Sequence, residues 1–369
     1  MSKTFKLGGI MLTSIVSLQL ARMLFSFVNL SDNVSSWLFS TIMQCFCLGV
    51  LPYLLYRTWV AGSNTDFVRD VRLNTRISPV SYLLAIAVGL LGYVVNIGAS
   101  TVSYTALELL GYTYTLGGGT IYSGPEVLIL EIVTGAMFPA FFEEITNRGV
   151  LLAALDNEKS DRVKILFMGV FFGAFHQNVP QFFPTMIIGI IIAYMAVKSQ
   201  SILPGMIVHF INNFVITLSS YGSQTGSPIG QITNFVSSFV YSNVIVLALS
   251  VAVAVWLIII CLRRFAAINV RYREARDPYP ATAGEPAVSS YDEDVRARIG
   301  YIYGYPAYNA DYDAAVEKPN SVRGVLRAAE AGANDGKNKV SLKDHILLIT
   351  AFVSAVVVTI FTYIWGVLR

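Results

Sequence analysis

Polar residues are sparse along this chain and collect between long apolar runs. Nine such runs lie near residues 8–28, 35–56, 79–104, 124–154, 163–178, 182–197, 202–220, 236–262 and 345–368. A helix rises 1.5 Å per residue, so about 20 apolar residues cover the ~30 Å hydrocarbon core of a bilayer. Most of the runs approach that length, and the fifth and sixth are short. The pattern predicts an all-α fold, a polytopic transmembrane helical bundle of about nine spans.

The charges between the runs give an orientation. Lys3 and Lys6 precede the first run; Arg57, Arg69, Arg72 and Arg76 follow the second; Lys159, Arg162 and Lys164 follow the fourth. Lys198 follows the sixth, and Arg263 and Arg264 follow the eighth. The alternate connections, around 29–34, 105–123, 179–181 and 221–235, contain no Lys or Arg. Cytoplasmic loops are enriched in these residues. The expectation is a multi-pass protein of the cell membrane with its N-terminus cytoplasmic and its C-terminus outside. No small-residue cleavage site follows the first run, which reads as a retained helix rather than a signal peptide.

The connections carry weaker signals. Residues 61–78 mix Asp66, Arg69, Asp70, Arg72 and Arg76 with Phe67, Val68, Val71 and Leu73, which reads as a short surface helix or as a charged loop. Residues 105–122, rich in Gly, Thr and Tyr, read as an irregular external loop. Ser123-Gly124-Pro125-Glu126 reads as a capping box opening the fourth run.

Composition agrees with a membrane class. Hydrophobic residues make up 54% of the chain, charged residues only 13%, and the mean hydropathy is +0.59, outside the range of ordinary soluble domains. A net charge of +3 gives no argument for nucleic acid as a partner. Cys45, Cys47 and Cys261 all fall in apolar runs at spacings unlike a zinc or redox motif, and read as buried thiols. From about 265 to 343 the composition turns to Arg, Asp, Glu, Pro, Ala and Gly, a low-order cytoplasmic tail with a short helix near 321–332. Its cluster Tyr291, Tyr301, Tyr303, Tyr305, Tyr308 and Tyr312 is either a segment for docking a partner or a linker.

The exceptions to apolarity are the candidate chemistry. Glu143, Glu144 and Arg148 lie in the fourth run, His176 ends the fifth, and His209 and Asn213 lie in the seventh. Ionisable groups at such depth are costly, which points to an active site or a permeation path. Adjacent helical residues project about 100° apart, so Glu143 and Glu144 cannot face one point. Glu144 and Arg148 have the favourable i, i+4 order for an ion pair, which leaves Glu143 to face a cavity. The alternative is that both acids pair with cations only to hold the bundle together. Counted from the basic ends, Glu143, His176 and Asn213 lie at roughly 15–20 Å and His209 at roughly 10 Å. Convergence in the cytoplasmic half is expected, with a chamber opening to that side. Arg22 and Glu131 are expected to pair with each other or to snorkel to the outer interface, and His345 to be interfacial.

Glu-Glu-x-x-x-Arg at 143–148, Phe-x-x-x-His at 172–176 and His-x-x-x-Asn at 209–213, in this order on successive hydrophobic segments, resemble the CAAX-protease and bacteriocin-processing (CPBP or Abi) family of intramembrane proteases. The resemblance covers about residues 125–220. It divides the chain into N-terminal transmembrane helices (1–124), a catalytic helical core (125–220), an eighth transmembrane helix (221–264), the tail (265–343) and a C-terminal transmembrane helix (344–369). It implies an endopeptidase acting on a membrane-embedded peptide or protein, of prenylated CAAX type or bacteriocin-like. By resemblance Glu143 activates water with help from His176, His209 and Asn213 stabilise the oxyanion or position the water, and Glu144 and Arg148 support the site.

A metal is the open point. Glu143, His176 and His209 are a candidate ligand set for one divalent ion such as Zn2+, and the family has been described both as metalloproteases and as metal-free glutamate proteases; a glutamate-activated water is favoured. Two other classes stand beside this reading. A transporter or channel would show related halves with interrupted helices, and no matching pair is present. A non-catalytic bacteriocin self-immunity or scaffold protein need not keep Glu143, His176 and His209 together.

Overall fold

The computed structural model describes residues 1–27, 33–62, 66–112, 120–158, 160–276 and 342–368, and every regular element among them is a helix. One compact unit comprises Met1–Asn269 and Leu342–Arg369. A second, Val270–Ser341, is described only through Arg276, where it is helical. The tyrosine cluster and the expected helix near 321–332 lie outside the described residues.

Helix α1 spans Lys3–Ser26. Helix α2 starts at Asn33 and runs to Val60 through two π-helical turns, Cys45–Val50 and Tyr56–Val60. A single turn, α3 (Phe67–Asp70), is capped by the Asp66 side chain, which accepts from Val68 N–H. Then follow α4 (Pro79–Leu109), α5 (Pro125–Ala154), α6 (Asp161–Phe175), α7 (Val179–Ser199) and α8 (Leu203–Thr225). Helices α9 (Pro228–Tyr241), α10 (Val244–Arg276) and α11 (Leu342–Val367) complete the chain. Proline in the first turn, where its missing N–H costs nothing, starts α4, α5, α7 and α8.

Eight of these helices, all but α3, α6 and α9, are long and apolar enough to cross a membrane, and the chain is a multi-pass membrane protein. The expected fifth span, at 163–178, is α6, which has 15 residues. At 1.5 Å each that is ~22 Å, short of the ~30 Å core. The helix ends inside the bundle, where Gln177 takes a left-handed conformation (φ 53°) and the Asn178 side chain caps α7 by accepting from Gln181 N–H. Two connections also differ from expectation. The stretch 221–235 is largely helical, in α8 and α9, and α10 continues past 265 to Arg276. The capping box at 123–126 does not form: Gly124 occupies the N-cap position of α5 without a side-chain hydrogen bond.

Glycines set how closely the helices pack around the site. On α6, a Cβ at Gly169 would lie 2.3 Å from Cγ1 of Ile190 on α7. On α7, a Cβ at Gly189 would lie 3.1 Å from Cβ of Phe172. These contacts make α6 and α7 a close antiparallel hairpin. Its apolar side joins a core that includes Val150–Ala154 of α5, Phe171, Phe172 and Phe175 of α6, Ala193 and Ala196 of α7, and residues of α1. Helix α4 packs on α7 and α8 in the same way through Gly89 and Gly92.

The basic ends of the helices are linked by ion pairs: Lys3 with Asp70, Arg72 with Asp156 and Lys198 with Asp161. Burial alone would raise the Asp70 carboxyl, but hydrogen bonds from Lys3 and Tyr56 and the charges of Lys3 and Arg69 outweigh it and hold it below the usual carboxylate range.

Two predictions follow from this packing. Gly169→Val overfills the α6–α7 contact and should lower stability by about 1–3 kcal/mol, read as a lower Tm in detergent. Because the Asp70 carboxyl is depressed in the folded state, its stabilisation is present at neutral pH and is lost as pH falls below about 4. Asp70→Asn should therefore lower Tm at pH 7 and flatten its fall towards pH 3.

Candidate active site

The deepest part of the site is a buried ionic network centred on Arg148. Nη1 of Arg148 donates to Oε1 of Glu144 at 2.7 Å, one turn back on α5. Nη2 donates to the Gly189 carbonyl of α7 at 3.3 Å, and the guanidinium carbon lies 3.9 Å from the ring centroid of Phe172 on α6. Nδ1 of His209, on α8, donates to the same Glu144 oxygen at 2.9 Å. Both members of the ion pair are fully buried. Gly205 gives the carboxylate its space: a Cβ there would lie 3.2 Å from Glu144 Oε2. Four helices therefore meet on one guanidinium–carboxylate pair.

Glu143 points elsewhere. It lines a cavity of about 460 Å³ together with His176, His209 and Asn213, while Glu144 and Arg148 lie outside the lining. Oε2 of Glu143 is buried and accepts no hydrogen bond from a described residue. Nδ1 of His176 lies 2.8 Å from the Phe172 carbonyl, which can only accept. That nitrogen therefore carries the proton, and the neutral ring has its lone pair at Nε2. In His209, Nδ1 is engaged by Glu144, which again leaves Nε2 as the free ring nitrogen.

Local irregularities shape this wall. A π-helical turn, Ile145–Val150, follows directly on Glu144, and another, Ile132–Met137, lies above Pro139; such turns are frequent at functional sites. Pro139 has no N–H to offer the Gly135 carbonyl, and Asn213 Nδ2 donates to that carbonyl at 3.4 Å instead. Asn147 Nδ2 donates to the backbone carbonyl of Glu143. Arg22 of α1 donates to the His176 carbonyl at the end of α6 at 3.4 Å, satisfying a group the helix leaves open.

Of the two expectations for Arg22 and Glu131, pairing with each other or snorkelling outward, the pair is absent among the described residues. Glu131 instead accepts from Trp37 Nε1–H at 2.6 Å and from the Thr120 hydroxyl at 3.1 Å. It lines the same cavity as Glu143. Its spacing held the signal, because Glu131, Gly135, Pro139 and Glu143 recur at every fourth residue and all four line the cavity. Asn96, Ser100 and Tyr104 do the same along α4. Outside the spans, Tyr122 packs edge-on to Tyr221, and burial followed by the Glu131 charge pushes its hydroxyl up to about 12.

Contrary to the expectation from depth, the cavity does not open to the basic end of the bundle. Its floor is Ile188 and His209, backed by the Arg148 network. Exposed lining residues are Tyr104, Gln181 and Ile216, all towards the other end of their helices.

All six motif residues fall within one family match. Residues 125–215 match the type II CAAX prenyl endopeptidase Rce1-like family. The Rce1-like segment covers roughly a quarter of the chain and is similar to a family of CAAX-type intramembrane endopeptidases, which are membrane proteases. No curated protein and no solved structure matches the chain.

The metal set does not assemble. Among the described residues no three His, Cys, Asp or Glu side chains are grouped so as to hold one metal ion, the trio Glu143, His176 and His209 included. The Rce1-like segment thus offers a carboxylate and two imidazole Nε2 atoms around a polar cavity rather than a three-ligand cage.

Removing Arg148 would strand the Glu144 carboxylate and its His209 partner. Arg148→Ala should lower stability by about 3–5 kcal/mol, measured by unfolding in detergent. Arg148→Lys should not restore it, since a lysine cannot reach Glu144 and Gly189 at once or stack on Phe172.

Proposed function

We propose that the protein is an intramembrane endopeptidase that hydrolyses a peptide bond of a membrane-associated peptide or protein through water activated by Glu143. The observation that carries this reading is the buried, unpartnered Glu143 oxygen on a cavity shared with His176, His209 and Asn213. Within that cavity Glu143 is the base that takes a proton from water, and His176 holds the same water through Nε2. The water oxygen adds to the substrate carbonyl carbon. Negative charge develops on the carbonyl oxygen, where donors are worth most in a water-poor site. Asn213 supplies an amide N–H, and His209, whose Nδ1 is held by Glu144, presents Nε2 beside it to position the water. Glu143 then returns its proton to the leaving amine as the C–N bond breaks.

Several features support the finer assignment. Glu144 is occupied by Arg148 and His209 and has no side toward the cavity, which leaves Glu143 as the carboxylate available to water. The alternation of basic and uncharged connections supports an N-terminus in the cytoplasm. A prenylated CAAX-type substrate is the family's expectation for this chain rather than a feature of the cavity.

The test is cleavage of a membrane-associated peptide library by the purified protein in lipid. Glu143→Gln and His176→Ala should each lower kcat by about 10²–10⁴, the usual worth of general acid–base groups, with unfolding temperatures close to that of the parent. A chelator should leave the rate unchanged. Equal cleavage by the variants would remove the assignment of Glu143, and inhibition restored by added zinc would move it to a metal mechanism.

A further inference from the structure

The four walls of the cavity run in one direction from the reacting groups. On α5 they pass from Glu143 up to Glu131, towards the start of the helix. On α8 they pass from His209 to Thr217, towards its end at Thr225. On α4 they run from Asn96 to Tyr104, towards Leu109, and on α7 from Ile188 back to Pro180, one residue from the start. All four directions lead to the end of the bundle whose connections contain no Lys or Arg.

The opposite end is closed. Below His209 come the fully buried Glu144 and Arg148, then Val150–Ala154, Met168, Ala193 and Ala196, each at most 4% exposed. Helices α4 and α7 are pinched where a Cβ on Gly92 would lie 3.2 Å from Ile188. Above that pinch they carry Asn96, Ser100, Gln181 and Thr185, and Gln181 is exposed. The basic residues Lys3, Arg72, Arg162 and Lys198 all lie at the closed end, beyond this packing.

We propose that the chamber is loaded from the non-cytoplasmic side, by an extended segment of a peptide or protein presented in the outer half of the membrane or beyond it. The distance from Glu131 to Glu143 is twelve helical residues, or ~18 Å, the length of about five residues of extended chain. A chain threaded past Glu131 reaches Glu143 with its backbone against Asn96, Asn212 and Asn213. The substrate class is then a precursor whose cleavage point lies on the outer side. This rests on the protease reading for what enters, and on the charge rule for which side is outer.

The test separates those two supports. Gln181→Cys and Arg162→Cys, both at exposed positions, are expressed in whole cells and treated with a membrane-impermeant maleimide, with the parent chain as the background for Cys45, Cys47 and Cys261. Gln181→Cys should label to the same extent before and after permeabilisation, and Arg162→Cys only after. Failure of Gln181→Cys to label from outside, whether or not permeabilisation exposes it, overturns the proposal and leaves the protease reading untouched. In sealed vesicles scored for orientation by the same labelling, cleavage of an impermeant soluble peptide library should rise in proportion to the fraction with Gln181 outward. Proportion to the fraction with Arg162 outward overturns the proposal. Absence of cleavage in vesicles opened by detergent counts against the protease, and the labelling result still decides the side of access.

Discussion

A guanidinium without access to water is the constraint on which this bundle turns. Arg148 is fully buried, and an unpaired charge there would cost several kcal/mol. It is accommodated because α5 supplies Glu144, α7 the Gly189 carbonyl and α6 the face of Phe172, while His209 of α8 shares the carboxylate. None of these partners is optional once the charge is inside. A buried pair of this kind contributes little net stability over a well-packed apolar substitute, so what it fixes is register. Any slide of α6, α7 or α8 past α5 would break a contact that nothing else can replace.

That register has a chemical consequence. With Glu144 held by two donors, its neighbour Glu143 is rotated about 100° away and left facing the cavity. His176 arrives opposite because α6 stops short of a full span, and its Nδ1 is tied to its own helix. The site therefore separates two tasks between adjacent carboxylates. Each has an Oε2 without a protein donor, but Glu144 is locked into structure through Oε1 and only Glu143 lines the cavity.

Much of this arrangement could be read from spacing. The i, i+4 relation of Glu144 and Arg148, the order of the three motifs and the all-helical, multi-span class needed only periodicity and hydropathy. The short α6 was harder, because the polar turn His176-Gln177-Asn178 marks where the helix ends, while hydropathy alone does not say whether that end lies at a membrane face or inside a bundle. Glu131 was weighed only against Arg22 and the outer interface, and its place on the cavity was missed. Its four-residue relation to Glu143 through Gly135 and Pro139 was the better signal. The direction of the cavity was not legible at all. Depth counted from one membrane face says where residues meet, but which end is filled depends on close approaches such as Gly92 to Ile188 and Gly169 to Ile190. Those contacts are set by pairs of residues distant in the chain.

Arg22 holds the carbonyl of His176 from the first helix, Thr146 donates to the Leu48 carbonyl of α2, and Asn96 of α4 reaches Asn212. Three helices outside the family-matched stretch thus finish groups within it. The matched stretch is therefore not a transferable module: grafted onto other flanking helices, it would carry every motif residue and still lack the scaffold that sets their positions. During synthesis Arg22 of α1 must wait for some 150 further residues before the backbone it caps exists. The site is thus completed late, by a side chain made long before the carbonyl it caps.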